Sequence, residues 1–566
     1  MKAIKRTLAI LTCLCLILGC VSISAVAEPT GSITIQNPSH SDATVSGKTF
    51  NVYKVFNATT SGTSTSYSWY EDANGQIPFY DFFYGPNGVV EQNKENGNVM
   101  GAVNYVTHIQ ENQGNLALSQ LAESLHTYIE NANAQTVTIP TIIPPVVVGS
   151  NESSVKIPDL EYGYYLVYDN TDLSSNASAV RSAVMLTTVN KDAVVTLKAN
   201  RPEIDKTVLE NDGVTYGKGT SAMIGDDVTF KIETYAPSHT MYTTYNYYIE
   251  DTLPAGITLN ADTIKVYIND TTELSDGTDY ELTVNGTDGF KVDFTIAIDE
   301  YAIGDKLSIV YGAHVTNGIA AQAANVNTAT LYYSNDPTNE TSVGHTSSTA
   351  NVYSYQFVFT KFAQDTNKVF MNKRLIGAEF QLYEVIGNTK KLLNFTTKQA
   401  TNADGVAFTK YIVSETAGEG TINTLKVHET GDETINLTDL NYGGHRGDVF
   451  IFGLSEGTYE LVETKAPDGY ILPDSPFVIT ITDEIGVMGS VGTLSVSGTH
   501  SGSGSIVNAN GRAEQILTVW ADITNAPGSA LPETGGMGTT LFTVLGIVLM
   551  AGALAFFTSR KRSSVA

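Results

Sequence analysis

The sequence predicts an all-β chain of several domains, and three observations predict it. Apolar and polar residues alternate with period two in many separate stretches, the pattern of strands with one buried face. The composition, with 49 glycines, 30 tyrosines and abundant Thr, Val and Asn against only two tryptophans, favours strands and turns over helices. The length of 566 residues is too great for one hydrophobic core and corresponds to roughly three to four domains of about 100–200 residues. An apolar fraction of 42% supplies those cores and excludes general disorder. A formal charge of −27 without any long basic run argues against nucleic acid as a partner.

The N-terminal end sets the compartment. Lys2, Lys5 and Arg6 precede an apolar run from Leu8 to Ile23, which ends in the small residues Ala25-Val26-Ala27. This is the pattern of a secretory signal peptide, residues 1–27, cleaved before Glu28. A lipoprotein signal, with Cys20 of Ile17-Leu18-Gly19-Cys20 lipidated, is the alternative. Cys13, Cys15 and Cys20 all lie in this segment, so the mature chain has no cysteine for disulfides or thiolate metal sites. Three basic residues and no acid stand at each end, so the charge of −27 becomes −33 for residues 28–534. Such an acidic surface keeps a crowded extracellular protein soluble and identifies no ligand.

Within the mature chain, Val228, Phe230 and Ile232 alternate with Thr229, Lys231 and Glu233, and Ile264, Val266 and Ile268 with Lys265 and Tyr267; both stretches are predicted strands. One region departs from the pattern. Leu118, Leu121, Leu125, Tyr128 and Ile129 recur at helical spacing within 115–131, after a further helical stretch at 101–111. Pro140, Pro144 and Pro145 then mark loop or edge segments. Asn200-Arg201-Pro202 and Asn335-Asp336-Pro337-Thr338 each precede a new strand run, Ile204 to Val208 and Tyr355 to Phe362. They divide the chain at about 28–199, 200–350 and 351–528. Gly498 to Gly504 reads as a surface loop of the third part.

No phosphate-binding loop, His-Glu-x-x-His, Gly-x-Ser-x-Gly or EF-hand pattern occurs, and the nine histidines lack metal-ligand spacing. The sequence therefore predicts neither an enzyme nor a cofactor or metal site. Arg446-Gly447-Asp448 matches an integrin-binding tripeptide and is read as a chance match.

The C-terminus reads Leu531-Pro532-Glu533-Thr534-Gly535, an apolar run from Leu541 to Phe557, then Arg560-Lys561-Arg562. By length and composition this is a short membrane span with a cytoplasmic basic flank. The three parts in that order resemble the sortase sorting signal of Gram-positive bacteria, residues 531–566. The resemblance implies that a sortase cysteine attacks the Thr534 carbonyl, releases Gly535 onward, and passes the acyl group to an amine. Membrane insertion is then a transient stage before sorting.

The third part of the chain holds Phe359-Thr360-Lys361, then Leu375 to Tyr383, then Tyr459-Glu460-Leu461-Val462-Glu463-Thr464-Lys465-Ala466-Pro467-Asp468-Gly469-Tyr470, with Asn525 close to the end. The long run matches every fixed position of the E-box of Cna-B-type domains of Gram-positive pilins. That resemblance implies an immunoglobulin-like sandwich in which Lys361 and Asn525 are joined by an isopeptide bond promoted by Glu463. The chemistry is physically sensible. Burial lowers a lysine pKa and frees its lone pair, and raises that of a carboxyl, which can then polarise the amide. Contact between amine and amide supplies the effective molarity that attack on an unactivated amide requires. One ammonia leaves and the reaction stops, so the acid promotes a single self-reaction.

Residues 200–350 resemble the fimbrial isopeptide-forming D2 domain through Ile224 to Phe230, Glu250-Asp251-Thr252-Leu253-Pro254, and Asn325-Val326-Asn327-Thr328 onward. The implied set is Lys206, Asp251 and Asn327, with Asn325 as a competing acceptor. In both domains the lysine is expected on the first strand and the asparagine on the last. Residues 28–199 resemble the N-terminal domain of such pilins more weakly. Major pilins present a polymerising lysine in a Tyr-Pro-Lys-Asn-like motif there; Val194 to Asn200 keeps the strand, lysine and asparagine but lacks Tyr-Pro. Lys198 is the expected nucleophile and Lys191 the reserve. Lys48 and Lys54 stand early in this domain with no evident acid and asparagine partners.

The expectation is thus three tandem immunoglobulin-like sandwiches with a helical insertion in the first, on the surface of a Gram-positive bacterium. The function implied is the backbone subunit of a covalent pilus, in which Thr534 of one subunit is joined to Lys198 of the next. Its partners would be sortases, identical pilin subunits, a peptidoglycan precursor and host surface or matrix proteins. The alternative is a monomeric wall-anchored adhesin, or an accessory pilin, using the same domains as a stalk.

Overall fold

The computed structural model describes residues 30–562 apart from 38–44, 91–98, 135–138, 198–201, 402–404, 432–443, 487–490, 500–503, 508–516, 529–536 and a few single residues or pairs. The signal peptide, Lys198 and the Leu531–Gly535 motif lie outside these. Six sheets follow one another in pairs along the chain, and the predicted all-β architecture with its two helices in the first third is found, together with a short helix, Tyr80–Tyr84.

In the first pair, Thr30–Gln36 lies between Ser154–Glu161 and Asp192–Thr196. The facing sheet is built on Thr49–Ser61 and Gly163–Asp169. The helices Val99–Asn112 and Gly114–Ala134 cover this second sheet. They bury Ala102, Val106, Ile109, Leu121, Leu125 and Ile129 against Phe56, Phe83 and Tyr164, which accounts for the helical spacing of the leucines.

The second pair places Ile204–Leu209, Asp227–Tyr235, Lys306–Val315 and Ile257–Ile268 side by side in one sheet. The facing sheet runs through Val343–Tyr353, Asn325–Ser334, Tyr247–Thr252 and Gly289–Asp293. Alternation marks the strands with one solvated face: Val228, Phe230 and Ile232 are buried, and so are Leu307, Ile309, Tyr311, Ala313 and Val315, with Ser308 buried as well. Two expectations are corrected here. The break at 350 falls inside the strand Val343–Tyr353. Asn327 lies on the strand before the last, not on the last, because Val343–Tyr353 follows and pairs with it.

In the third pair, Tyr355–Gln364 is central to its sheet, with Asp448–Leu454 antiparallel on one side and Thr518–Asn525 parallel on the other. The facing sheet holds Glu379–Ile386, Gly457–Lys465, Phe477–Ile485 and Val491–Thr499. Tyr355–Gln364 is buried along its whole length, so it reads as a near-continuous apolar run. The expected loop from Gly498 to Gly504 is corrected at its two ends, which lie in strands. Gly498 lies within the strand Val491–Thr499 and Gly504 begins Gly504–Val507, while residues 500–503 lie outside the described residues. The C-terminal helix Met537–Arg562 contains a 20-residue apolar stretch, Leu541–Arg560, long enough to cross a membrane.

One buried apolar cluster runs from the second pair of sheets into the third. Ile224 N–H donates to the Gly453 carbonyl at 3.0 Å across this junction. Gly453 has φ +89°, and a Cβ there would stand 2.4 Å from Ile224 Cδ1, so both conformation and space call for glycine.

Candidate functional site

The third pair of sheets assembles its three predicted residues without a gap. Residues 356–363 pair in parallel with residues 518–525, which sets Lys361 and Asn525 on neighbouring strands of one sheet. Glu463, on Gly457–Lys465, reaches them from the facing sheet. All three side chains are buried. Lys361 Nζ donates to Asn525 Oδ1 and, at 2.9 Å, to Glu463 Oε2. Asn525 Nδ2 donates to Glu463 Oε1 at 2.8 Å and to the Ile471 carbonyl at 3.2 Å. One carboxylate thus bridges amine and amide, while Phe380 and Phe477 enclose the ammonium at 5.3 Å from each ring centroid. Burial brings the Lys361 amine down to about 8, against the opposing pull of Glu463.

The second pair also builds its site across its two sheets, but with lysine and asparagine on opposite ones. Lys206 sits on Ile204–Leu209 in one sheet; Asp251 and Asn327 sit on adjacent strands of the other. Lys206 Nζ donates to Asp251 Oδ2, and neither side chain has solvent access. Burial pushes the lysine down and the aspartic acid up, and their mutual attraction opposes both shifts. In an apolar surrounding that balance favours the neutral amine and neutral acid. Between this pair and Asn327 stands Tyr311, a residue the sequence did not single out. Its hydroxyl accepts from Lys206 Nζ at 2.7 Å and from Asn327 Nδ2 at 2.7 Å, and donates to Asp251 Oδ1 at 2.8 Å. Asn327 Oδ1 is buried without a hydrogen-bond partner. Asn325, the competing acceptor, is held by backbone groups. Its Nδ2 donates to the carbonyls of Ala320 and Val352, each at 3.0 Å, and its Oδ1 accepts from Ala320 N–H at 2.9 Å.

In the first pair, the early lysines have acid partners that the sequence did not reveal. Lys48 Nζ meets Asp169 Oδ2 at 2.5 Å, and Lys54 Nζ meets Glu161 Oε2 at 2.8 Å. Among the described residues neither amine is hydrogen-bonded to an asparagine amide. Lys191 is exposed. The Arg446-Gly447-Asp448 tripeptide does not present its carboxylate. Asp448 is buried and accepts from Thr360 Oγ1 at 2.7 Å and Arg374 at 2.9 Å.

Comparison with known proteins matches residues 424–491 to a prealbumin-like fold domain, SpaA, and residues 524–564 to the LPXTG cell wall anchor motif. The chain is 25% identical over 414 residues to the trypsin-resistant surface T6 protein of Streptococcus pyogenes serotype M6, covering 65% of this chain and 70% of that one. It is 29% identical over 198 residues to fimbrial subunit type 1 of Actinomyces viscosus, covering 34% of this chain and 29% of that one. The solved T6 backbone pilin of S. pyogenes superposes with a TM-score of 0.46 at 14% identity, over 89% of this chain and 99% of the other. The prealbumin-like domain, the LPXTG anchor motif and the two sequence relatives are those of sortase-assembled major pilins, to which the chain is similar, and they support a structural pilus subunit anchored at the cell wall.

Proposed function

We propose that the chain is the backbone subunit of a covalent pilus whose second and third domains, meeting between the strands Val343–Tyr353 and Tyr355–Gln364, are each locked by an internal Lys–Asn isopeptide bond. The bonds join Lys206 to Asn327 and Lys361 to Asn525, promoted by Asp251 and Glu463. The observation that carries this reading is the buried contact of Lys361 with both Asn525 and Glu463. A lysine ammonium without solvent is costly to keep as a mere ion pair, whereas an amine held against an amide is placed to react. Sortase would join Thr534 to Lys198 of the next subunit, with Lys191 in reserve. Subunits added head to tail give an open filament, and the last one is passed to a peptidoglycan precursor.

Two measurements test this. Peptide mapping of the folded protein should recover Lys206 and Lys361 peptides linked to their asparagine partners with loss of one ammonia each; full yields of unmodified peptides would reject both bonds. Denaturing immunoblots of wall extracts should show a ladder of high-mass species that Lys198→Arg abolishes while wall attachment persists. An unchanged ladder in that variant would reject Lys198. A single monomer-sized band from the unaltered strain would favour a monomeric wall-anchored stalk.

A further inference from the structure

The two sites solve one chemical problem with side chains of different reach. Forming the amide moves one proton, net, from the lysine nitrogen to the departing asparagine nitrogen, so something must touch both. In the third domain Glu463 does so alone, one oxygen on each nitrogen. Aspartate is a methylene shorter. In the second domain Asp251 contacts Lys206 directly, and the Tyr311 hydroxyl spans the remaining distance to Asn327 Nδ2.

We propose that Tyr311 is a catalytic residue of the second domain, relaying a proton from Asp251 to the leaving nitrogen of Asn327. This rests on the reading that Lys206 and Asn327 become joined. The neutral Lys206 amine attacks Asn327 Cγ, forming the new C–N bond and a tetrahedral centre. Before attack the planar amide nitrogen has no lone pair to offer and donates to the Tyr311 oxygen, as the structure shows. Once Cγ is tetrahedral that nitrogen is a basic amine, and the hydrogen bond reverses. Tyr311 gives its proton to Nδ2 and takes the carboxylic proton of Asp251. The old C–N bond breaks and ammonia leaves. The Asp251 carboxylate then accepts the surplus proton of Nζ, so the acid and the phenol end as they began. The hydroxyl is saturated in the starting state, accepting from two donors and donating once, and its ring is fixed between Phe230 and Phe290.

The test compares the full mature chain with Tyr311→Phe and with the double variant Asp251→Glu, Tyr311→Phe, following by mass mapping the linkage of Lys206 to Asn327 after refolding. Phenylalanine keeps the ring contacts, and the Lys361–Asn525 link in the same molecule reports that the chain has folded. Tyr311→Phe should slow the Lys206 link by roughly a hundredfold or more, the usual worth of a positioned acid–base group. The third-domain link should be unaffected. The double variant, whose glutamate can bridge both nitrogens as Glu463 does, should recover it, a rescue that a packing role would not produce. Wild-type rates in Tyr311→Phe, or no recovery in the double variant, would overturn the relay. Unlinked Lys206 in the wild type would instead refute the bond itself.

Discussion

Lys361 and Lys206 are buried amines whose state decides whether the proposed reaction can run. Desolvation lowers both, and the neighbouring carboxyls oppose it. A lysine whose folded pKa lies below its usual 10.5 destabilises the unlinked fold as pH drops through the folded value, because folding must then strip a proton or bury a charge. For Lys361 that value is about 8. The rate of the Lys361–Asn525 link, followed by mass after refolding, should therefore climb with pH and level off above about 8. A rate that falls across the same range would mean that the free amine is not the nucleophile. Glu463→Gln keeps the size of the bridging side chain but removes its ability to accept the lysine proton. The variant should fold and remain unlinked at this site, with one ammonia more in its intact mass. Full linkage in Glu463→Gln would remove the carboxyl from the chemistry.

At the scale of strands, the third domain ties its first strand to its last through side chains 164 residues apart, on neighbours that already pair in parallel. Closing a loop of that length is worth about 5 kcal/mol by the chain-entropy argument developed for disulfides. Lys361→Met combined with Glu463→Gln keeps most of the side-chain volume and leaves no buried carboxylate without its ammonium. It should lower the unfolding free energy of this domain, read from guanidinium denaturation, by an amount of that order, and an unaltered value would show that the link does not bear on stability. How much of this was legible in the sequence depended on the strand. The E-box carried Glu463 because its Tyr, Leu, Pro and Gly positions recur at fixed spacing around it. Asn325 and Asn327 could not be separated, since period two puts both on one face and both are buried. Only tertiary contacts divide them, with backbone groups taking the first and Tyr311 the second. Tyr311 itself was invisible because, in the alternation Leu307, Ile309, Tyr311, Ala313, it reads as one more core aromatic. Asp169 and Glu161 were hidden likewise, since their meetings with Lys48 and Lys54 depend on pairing between distant strands.

On the scale of the whole chain, a subunit pulled end to end is as stiff as its junctions, and the one between the second and third domains is built around a titratable bridge. His314 faces Asp227 of its own domain through Nδ1 at 2.8 Å and Glu415 of the third through Nε2 at 3.0 Å. With a carboxylate at each nitrogen the doubly protonated ring is favoured, and the hydrogen bond to Asp227, followed by that to Glu415, raises its pKa above 6.5. A raised histidine contributes its stabilisation fully below the unperturbed value and loses it as pH rises through the junction value. Asp226 and Glu384 also lie at this junction, with Lys391 nearby. Burial raises both acids; Asp227 further raises Asp226 and Asp226 further raises Glu384, while Lys391 opposes both shifts. Raised carboxyls act in the same direction, because ionising them where they are buried works against docking. The docked junction therefore takes up protons and should loosen as the medium turns from mildly acidic to mildly alkaline. Hydrogen exchange at the Ile224 amide, which bonds across the junction to Gly453, measures this once corrected for the intrinsic effect of pH on exchange. Protection should fall from pH 6 to pH 8, roughly the interval over which a perturbed histidine titrates. In His314→Gln it should start lower and change less. Superimposable profiles for the two proteins would show that the bridge does not govern the junction, and would leave the shared apolar core to hold the domains in line.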